Sequence, residues 1–124
     1  MIALAGIANG CERPVAGPDT ATEGIVVCVD ANYSGESLPV SLSAWALGDY
    51  GGPCNQGRSG RGDWNDCISS IRVAPGWQAV IYSDWHYQGE RTTVKADIPD
   101  LSKVAGPCKG NWNDCISSIF VGRQ

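Results

Sequence analysis

Histidine occurs once in this sequence, at His86, and phenylalanine and methionine occur once each. A single imidazole supplies neither a histidine-based triad nor the usual ligands of a zinc site, and no Cys-x-x-Cys pair makes up for it. Charge is sparse, at 18% of residues, yet hydrophobic residues reach 43%. That balance excludes a solvated, disordered chain. Basic residues number nine against thirteen acidic, for a net charge of −4. A nucleic-acid binder would carry the opposite excess to neutralise phosphates. No apolar run approaches the ~20 residues of a membrane helix. Leucine is scarce, and no segment repeats apolar residues at helical spacing over three turns, which excludes a helical bundle.

What the chain does have is sixteen glycines and seven prolines. They punctuate many turns and short strands, and so point to an all-β fold. It also has six cysteines: Cys11, Cys28, Cys54, Cys67, Cys108 and Cys115. An even number in a small, glycine-rich chain reads as a disulfide framework made in an oxidising compartment, so a secreted or periplasmic location is expected. Residues 1–10, MIALAGIANG, are small and apolar but lack the positive n-region of a signal peptide. Residues 1–24 are read as an N-terminal extension, a signal remnant or a tail tied down through Cys11. Residues 25–124 are read as the one folded domain.

The octapeptide WNDCISSI occurs at 64–71 and again at 112–119. Upstream, Tyr33-Ser34-Gly35-Glu36 matches Tyr87-Gln88-Gly89-Glu90, and Gly52-Pro53-Cys54 matches Gly106-Pro107-Cys108, both at a spacing of 54 residues instead of 48. The first copy therefore carries six extra residues within 55–63, NQGRSGRGD, a glycine- and arginine-rich loop. The repeats span about 25–75 and 77–122. Each reads as four short strands. Three of the four are placed at 25–30, 36–42 and 67–73 in the first repeat and at 78–83, 90–95 and 115–121 in the second, and 96–104 can hold one helical turn. Two such repeats predict a two-sheet sandwich with Greek-key connections.

These residues resemble the βγ-crystallin superfamily, in its microbial calcium-binding branch. The family's hairpin signature, aromatic-x4-aromatic-x-Gly, is met by Tyr82, Tyr87 and Gly89. The first repeat has Tyr33 and Gly35, with Cys28 in place of the leading aromatic. The calcium signature, [ND]-[ND]-x-x-[ST]-S, is met twice, by Asn65-Asp66-Cys67-Ile68-Ser69-Ser70 and Asn113-Asp114-Cys115-Ile116-Ser117-Ser118. The resemblance implies a disulfide-bonded βγ-crystallin-like sandwich of two Greek keys that binds two Ca2+ ions. A hard cation needs six to eight oxygens, and carboxylate, carboxamide, hydroxyl and turn carbonyls are all offered within six residues.

The resemblance also implies roles by position. Asp66 and Asp114 would each give a side-chain oxygen, Cys67 and Cys115 a backbone carbonyl, and Ser69 and Ser117 a hydroxyl. A further carbonyl would come from near Val29 and Ser83. Asn65 and Asn113 would either bind or brace, and Ser70 and Ser118 would brace the hairpin. Neither loop closes a site alone in this family: each ion would take aspartate from one repeat and serine from the other. Repeat symmetry further predicts the bonds Cys54–Cys67 and Cys108–Cys115, which leaves Cys11 with Cys28.

The remaining conspicuous residues have plainer readings. Tyr33, Tyr82 and Tyr87 are expected to pack the hairpins, and Trp64 and Trp112 to share a packing role beside the loops. Trp45, Trp77 and Trp85 have no counterparts and are expected at core or edge positions. His86 is expected on the surface. No constellation suggests catalysis, so the protein is read as no enzyme, monomeric, with calcium as its ligand. The alternative is a secreted protease inhibitor or killer-toxin-like protein on the same scaffold, using the 55–63 insertion as its loop.

Overall fold

Period-two burial builds the strands. In Ile25–Asp30 the side chains of Ile25 and Val27 are buried, and in Trp77–Asp84 those of Ala79 and Ile81 are. A computed structural model describes residues 23–56 and 62–124. The N-terminal extension up to residue 22, with Cys11, and residues 57–61 of the insertion lie outside the described residues. The strands are β1 (Ile25–Asp30), β2 (Ser34–Val40), β3 (Ser70–Val73), β4 (Trp77–Asp84), β5 (Gln88–Val94), β6 (Ala105–Cys108) and β7 (Ser118–Arg123), with 3-10 turns at Leu47–Asp49 and Leu101–Lys103.

The strands form two antiparallel three-stranded sheets, ordered β2-β1-β3 and β5-β4-β7. Each repeat owns one sheet, but each sheet is completed by the other repeat. Ala44, from the first repeat, bridges to Ile119 in β7, and Ile98, from the second, bridges to Ile71 in β3. This exchange is the Greek-key connection, and it leaves the expected fourth strand as a single bridge on each side. The reason lies in the links. Ser43 and Asp97 turn their side chains onto the backbone N–H of Val121 and Val73, where a ladder would otherwise continue.

The last strands start at Ser70 and Ser118, three residues later than expected. The preceding residues serve the motif loops instead: Asp66 and Asp114 sit in the left-handed region at φ 56°, which aspartate tolerates better than most residues. The hairpins are matched. Tyr33 N–H donates to Ser70 Oγ (3.0 Å), which donates to Asp30 O (2.6 Å). Tyr87, Ser118 and Asp84 repeat this at 3.0 and 2.6 Å. Ser70 and Ser118 are fully buried, so they brace the hairpins. Gly35 and Gly89 follow at φ 81° and 83°, where a Cβ would strike the side chains of Val29 and Asp30, or of Ser83 and Asp84.

Between the sheets lies one core. Ile25, Val27, Val40, Leu47, Ile68 and Ile71 meet their mates Ala79, Ile81, Val94, Leu101, Ile116 and Ile119. Trp64 and Trp112 close it, each only 2% exposed. Trp77 is half-buried beneath Arg123. Trp45 and Trp85 depart from the expected packing: they are 55% and 61% exposed. The sheets are already filled by aliphatic side chains, so these indoles have nowhere inside to go.

Candidate metal centre

The two motif loops meet at the boundary between the repeats. Asp66 N–H donates to Ile116 O (3.0 Å), and Asp114 N–H donates to Ile68 O (3.1 Å). These reciprocal bonds place each loop against the other. Disulfides fix both: Cys54 joins Cys67 with Cα atoms 6.2 Å apart, and Cys108 joins Cys115 at 5.8 Å. Cys28 is also disulfide-bonded; Cys11, its expected partner, lies outside the described residues. The sulfurs are thus unavailable as ligands, which leaves oxygen chemistry.

The crossing sets the side chains together in pairs from opposite repeats. Ser117 Oγ donates to Asp66 Oδ1 at 3.1 Å, across 51 residues of sequence. In the matching place Ser69 lies close enough to the Asp114 carboxylate to lower its pKa. Both serines are buried, while both aspartates reach solvent. Ser69 and Ser117 are held by their own backbones, Ser69 N–H to Cys28 O and Ser117 N–H to Tyr82 O, at 2.9 Å each. Beside them, Val29 and Ser83 are the residues skipped in the β1–β2 and β4–β5 registers. Such bulges re-aim the backbone at a site. Ser83 also uses its hydroxyl, accepting from Glu90 N–H at 3.0 Å.

Burial raises the pKa of Asp114; the Ser69 hydroxyl lowers it, and the negative charge of Asp30 raises it further. The charge of Asp30, a residue that the sequence reading did not single out, acts on this carboxylate. The signal for Asp30 was available: Asp84 holds the same place in the second repeat, 54 residues on. A second miss is the pair that holds the loop entrances. Asp63 Oδ1 accepts from Asn65 N–H (2.9 Å) and Asn55 Nδ2 (2.7 Å), and Asn111 Oδ1 accepts from Asn113 N–H (2.8 Å). Asn65 Nδ2 donates to Asp66 Oδ2 at 3.2 Å, and its Oδ1 is buried with no partner among the described residues.

Oxygens with a negative balance fit a hard divalent cation. Among the described residues no three His, Cys, Asp or Glu side chains converge as a metal cluster. The donors brought together are one carboxylate, one hydroxyl and strand-bulge backbone on each side, so any ion here would lean on uncharged oxygens.

Two Greek keys that exchange their third segments and face their motif loops define a crystallin-type sandwich. The chain is 31% identical to a βγ-crystallin domain from Flavobacterium johnsoniae, over 81% of this chain and 94% of that one, with a TM-score of 0.59. The chain belongs to the βγ-crystallin family. A βγ-crystallin domain from Clostridium beijerinckii, 21% identical over 80% of this chain and 97% of its own, has the same fold at a TM-score of 0.56. So does the N-terminal domain of protein S, at 22% identity, 81% and 96% coverage and a TM-score of 0.57. No family model matches the chain, and no curated protein does.

Proposed function

We propose that this is a non-enzymatic calcium-binding domain whose two sites are each shared between the repeats. One observation carries the reading: the Ser117 hydroxyl donates to the Asp66 carboxylate of the other repeat at 3.1 Å, and on the matching side Ser69 lies near enough to Asp114 to lower its pKa. One site would take Asp66, Ser117 and a carbonyl near Ser83. The other would take Asp114, Ser69 and a carbonyl near Val29. Carbonyls of Cys67 and Cys115 and the amides of Asn65 and Asn113 complete the candidate donor set. The paired disulfides support an oxidising, extracytoplasmic setting. Calcium would then act on the fold itself, since it ties the repeats together at the point where they cross.

Isothermal titration of metal-stripped protein tests this, with two calcium ions expected. Melting should rise with calcium, by about 2.7 kcal/mol of stability at a hundredfold excess over Kd. Magnesium should do far less, because it demands octahedral geometry and holds its water. The variant Asp66→Ala with Ser69→Ala, changed in one repeat only, should weaken both sites. One site left at full affinity would rule out sharing. A flat titration of the native chain would turn the reading to a protease inhibitor or toxin on this scaffold.

A further inference from the structure

Beside the motif loops the two halves carry grooves at matching places, one lined by two carboxylates and no cation, the other by one of each. The first, about 280 Å3, is lined by Asp49, Asn55, Asp63, Asn65 and Trp85 among others. The second, about 240 Å3, is lined by Ser102, Lys109, Asn111 and Asn113 among others. By repeat position Asp49 matches Lys103, Asn55 matches Lys109, Asp63 matches Asn111 and Trp85 matches Ala31. The groove with two carboxylates and an indole therefore has a mate that holds Lys109 and Asn111 in place of Asn55 and Asp63 and keeps one carboxylate, Asp114, while Lys103 and Ala31, the mates of Asp49 and Trp85, stand outside its lining.

The wall continues outward. The His86 ring lies 4.2 Å from Trp45 and 5.9 Å from Trp85. The backbone does not require these rings. His86 N–H donates to Trp45 O at 2.9 Å, and at the matching corner Asn32 N–H donates to Pro99 O at 2.7 Å. The same corner closes equally well with proline and asparagine. Two indoles more than half exposed are thus a feature the fold can do without, and exposed apolar surface of this kind marks interaction sites.

We propose that this groove docks a basic peptide segment, with an arginine or lysine side chain lying on Trp85 and its charge at Asp49 and Asp63. Carboxylates and the face of an indole attract the same cation, and the chain's net charge of −4 favours its approach. Proximity of Asp49 and Asp63 to a bare indole disfavours an anionic partner by the same rule. The groove shares Asn65 with the candidate calcium donors, so the peptide is tested with calcium held in excess.

The test is fluorescence anisotropy with a labelled Gly-Ser peptide carrying arginines, run on the full chain in excess calcium. The control peptide has citrulline in place of arginine, which keeps the shape and removes the charge. The variants take the residues of the other half, Asp49→Lys and Trp85→Ala, which this backbone already accommodates at Lys103 and Ala31. Binding should weaken about tenfold for Asp49→Lys and severalfold for Trp85→Ala, and weaken again as salt rises to about 0.3 M. Equal binding of the citrulline peptide, or of both variants, would overturn the proposal. So would salt-independent, Trp85-dependent binding of a neutral oligosaccharide. Self-association in sedimentation that Asp49→Lys abolishes would overturn it too, by assigning the groove to a second copy.

Discussion

Ile71 and Ile119 hold the same buried place in the two halves, and the next residue is Arg72 in one and Phe120 in the other. Arg72 lies 3.8 Å over the Tyr33 ring and pairs with Asp97 at 3.3 Å. Phe120 meets Tyr87 edge-on at 5.5 Å, and Trp45 approaches the same tyrosine at 6.1 Å. One outer face is thus closed by charge and the other by aromatic rings, over interiors that correspond position by position. The difference shows which positions the fold constrains. Inward-facing strand residues, the hairpin serines and the loop-to-loop bonds recur, because each is buried or hydrogen-bonded across the repeats. Outward-facing residues are free to diverge, and there the halves acquire different chemistry.

The sharpest way to break the comparison is at the matched tryptophans. Trp64→Ala and Trp112→Ala should each cost about 3–5 kcal/mol, measured by chemical denaturation, because each empties a nearly sealed place in the core. Costs that differ by more than about 1 kcal/mol would show that the two interiors are not equivalent. The disulfides come next. Replacing either pair with alanines should cost about 2–3 kcal/mol. The Cys54–Cys67 loop spans 13 residues and the Cys108–Cys115 loop seven. On chain entropy alone, losing the first should cost about half a kcal/mol more; the reverse order would mean that the second bond supports its loop by other means.

A smaller effect separates the outer faces. Asp97 Oδ1 accepts from Val73 N–H at 2.7 Å, where Ser43 Oγ accepts from Val121 N–H at 3.0 Å. Asp97→Ala should cost about 1–2 kcal/mol, mostly for the backbone donor left behind, with a smaller share from the partly exposed Arg72 pair. Asp97→Ser, borrowing the residue of the other half, should recover most of that loss in thermal melts. Recovery failing would assign the energy to the ion pair instead.

The smallest effect is a matter of sign. Folding raises the pKa of Asp114 from its ordinary value of 3.8, through burial and the nearby Asp30. A carboxylate raised in this way favours the folded state at acid pH, and that contribution disappears as pH rises through the raised value. In metal-free protein Asp114→Asn should remove this decline and leave stability slightly higher at neutral pH. In calcium the same variant should melt lower than the native chain. A metal-free variant that loses stability at neutral pH would show the carboxylate to be well paired without an ion.

The sequence alone determined the repeat, its two offsets and the strands that flank its glycine turns, because buried alternation and positive-φ glycine are local demands. Tyr82, Tyr87 and Gly89 marked a hairpin, and Asn65-Asp66 and Asn113-Asp114 marked the loops, before any coordinate was known. Matching cysteine places also predicted the two bonds within the repeats, Cys54–Cys67 and Cys108–Cys115. Only the tertiary structure decided which loop faces which. Asp66 reaches Ser117 because Ala44 and Ile98 cross to the opposite sheets, and a pairing 51 residues apart has no local signature. The same assembled structure brought the charge of Asp30 to bear on Asp114 and left Trp45 and Trp85 in solvent. Whether an indole is inside depends on how much room the other repeat has already filled, and that is a property of the assembled sandwich, not of the residue or its neighbours in sequence.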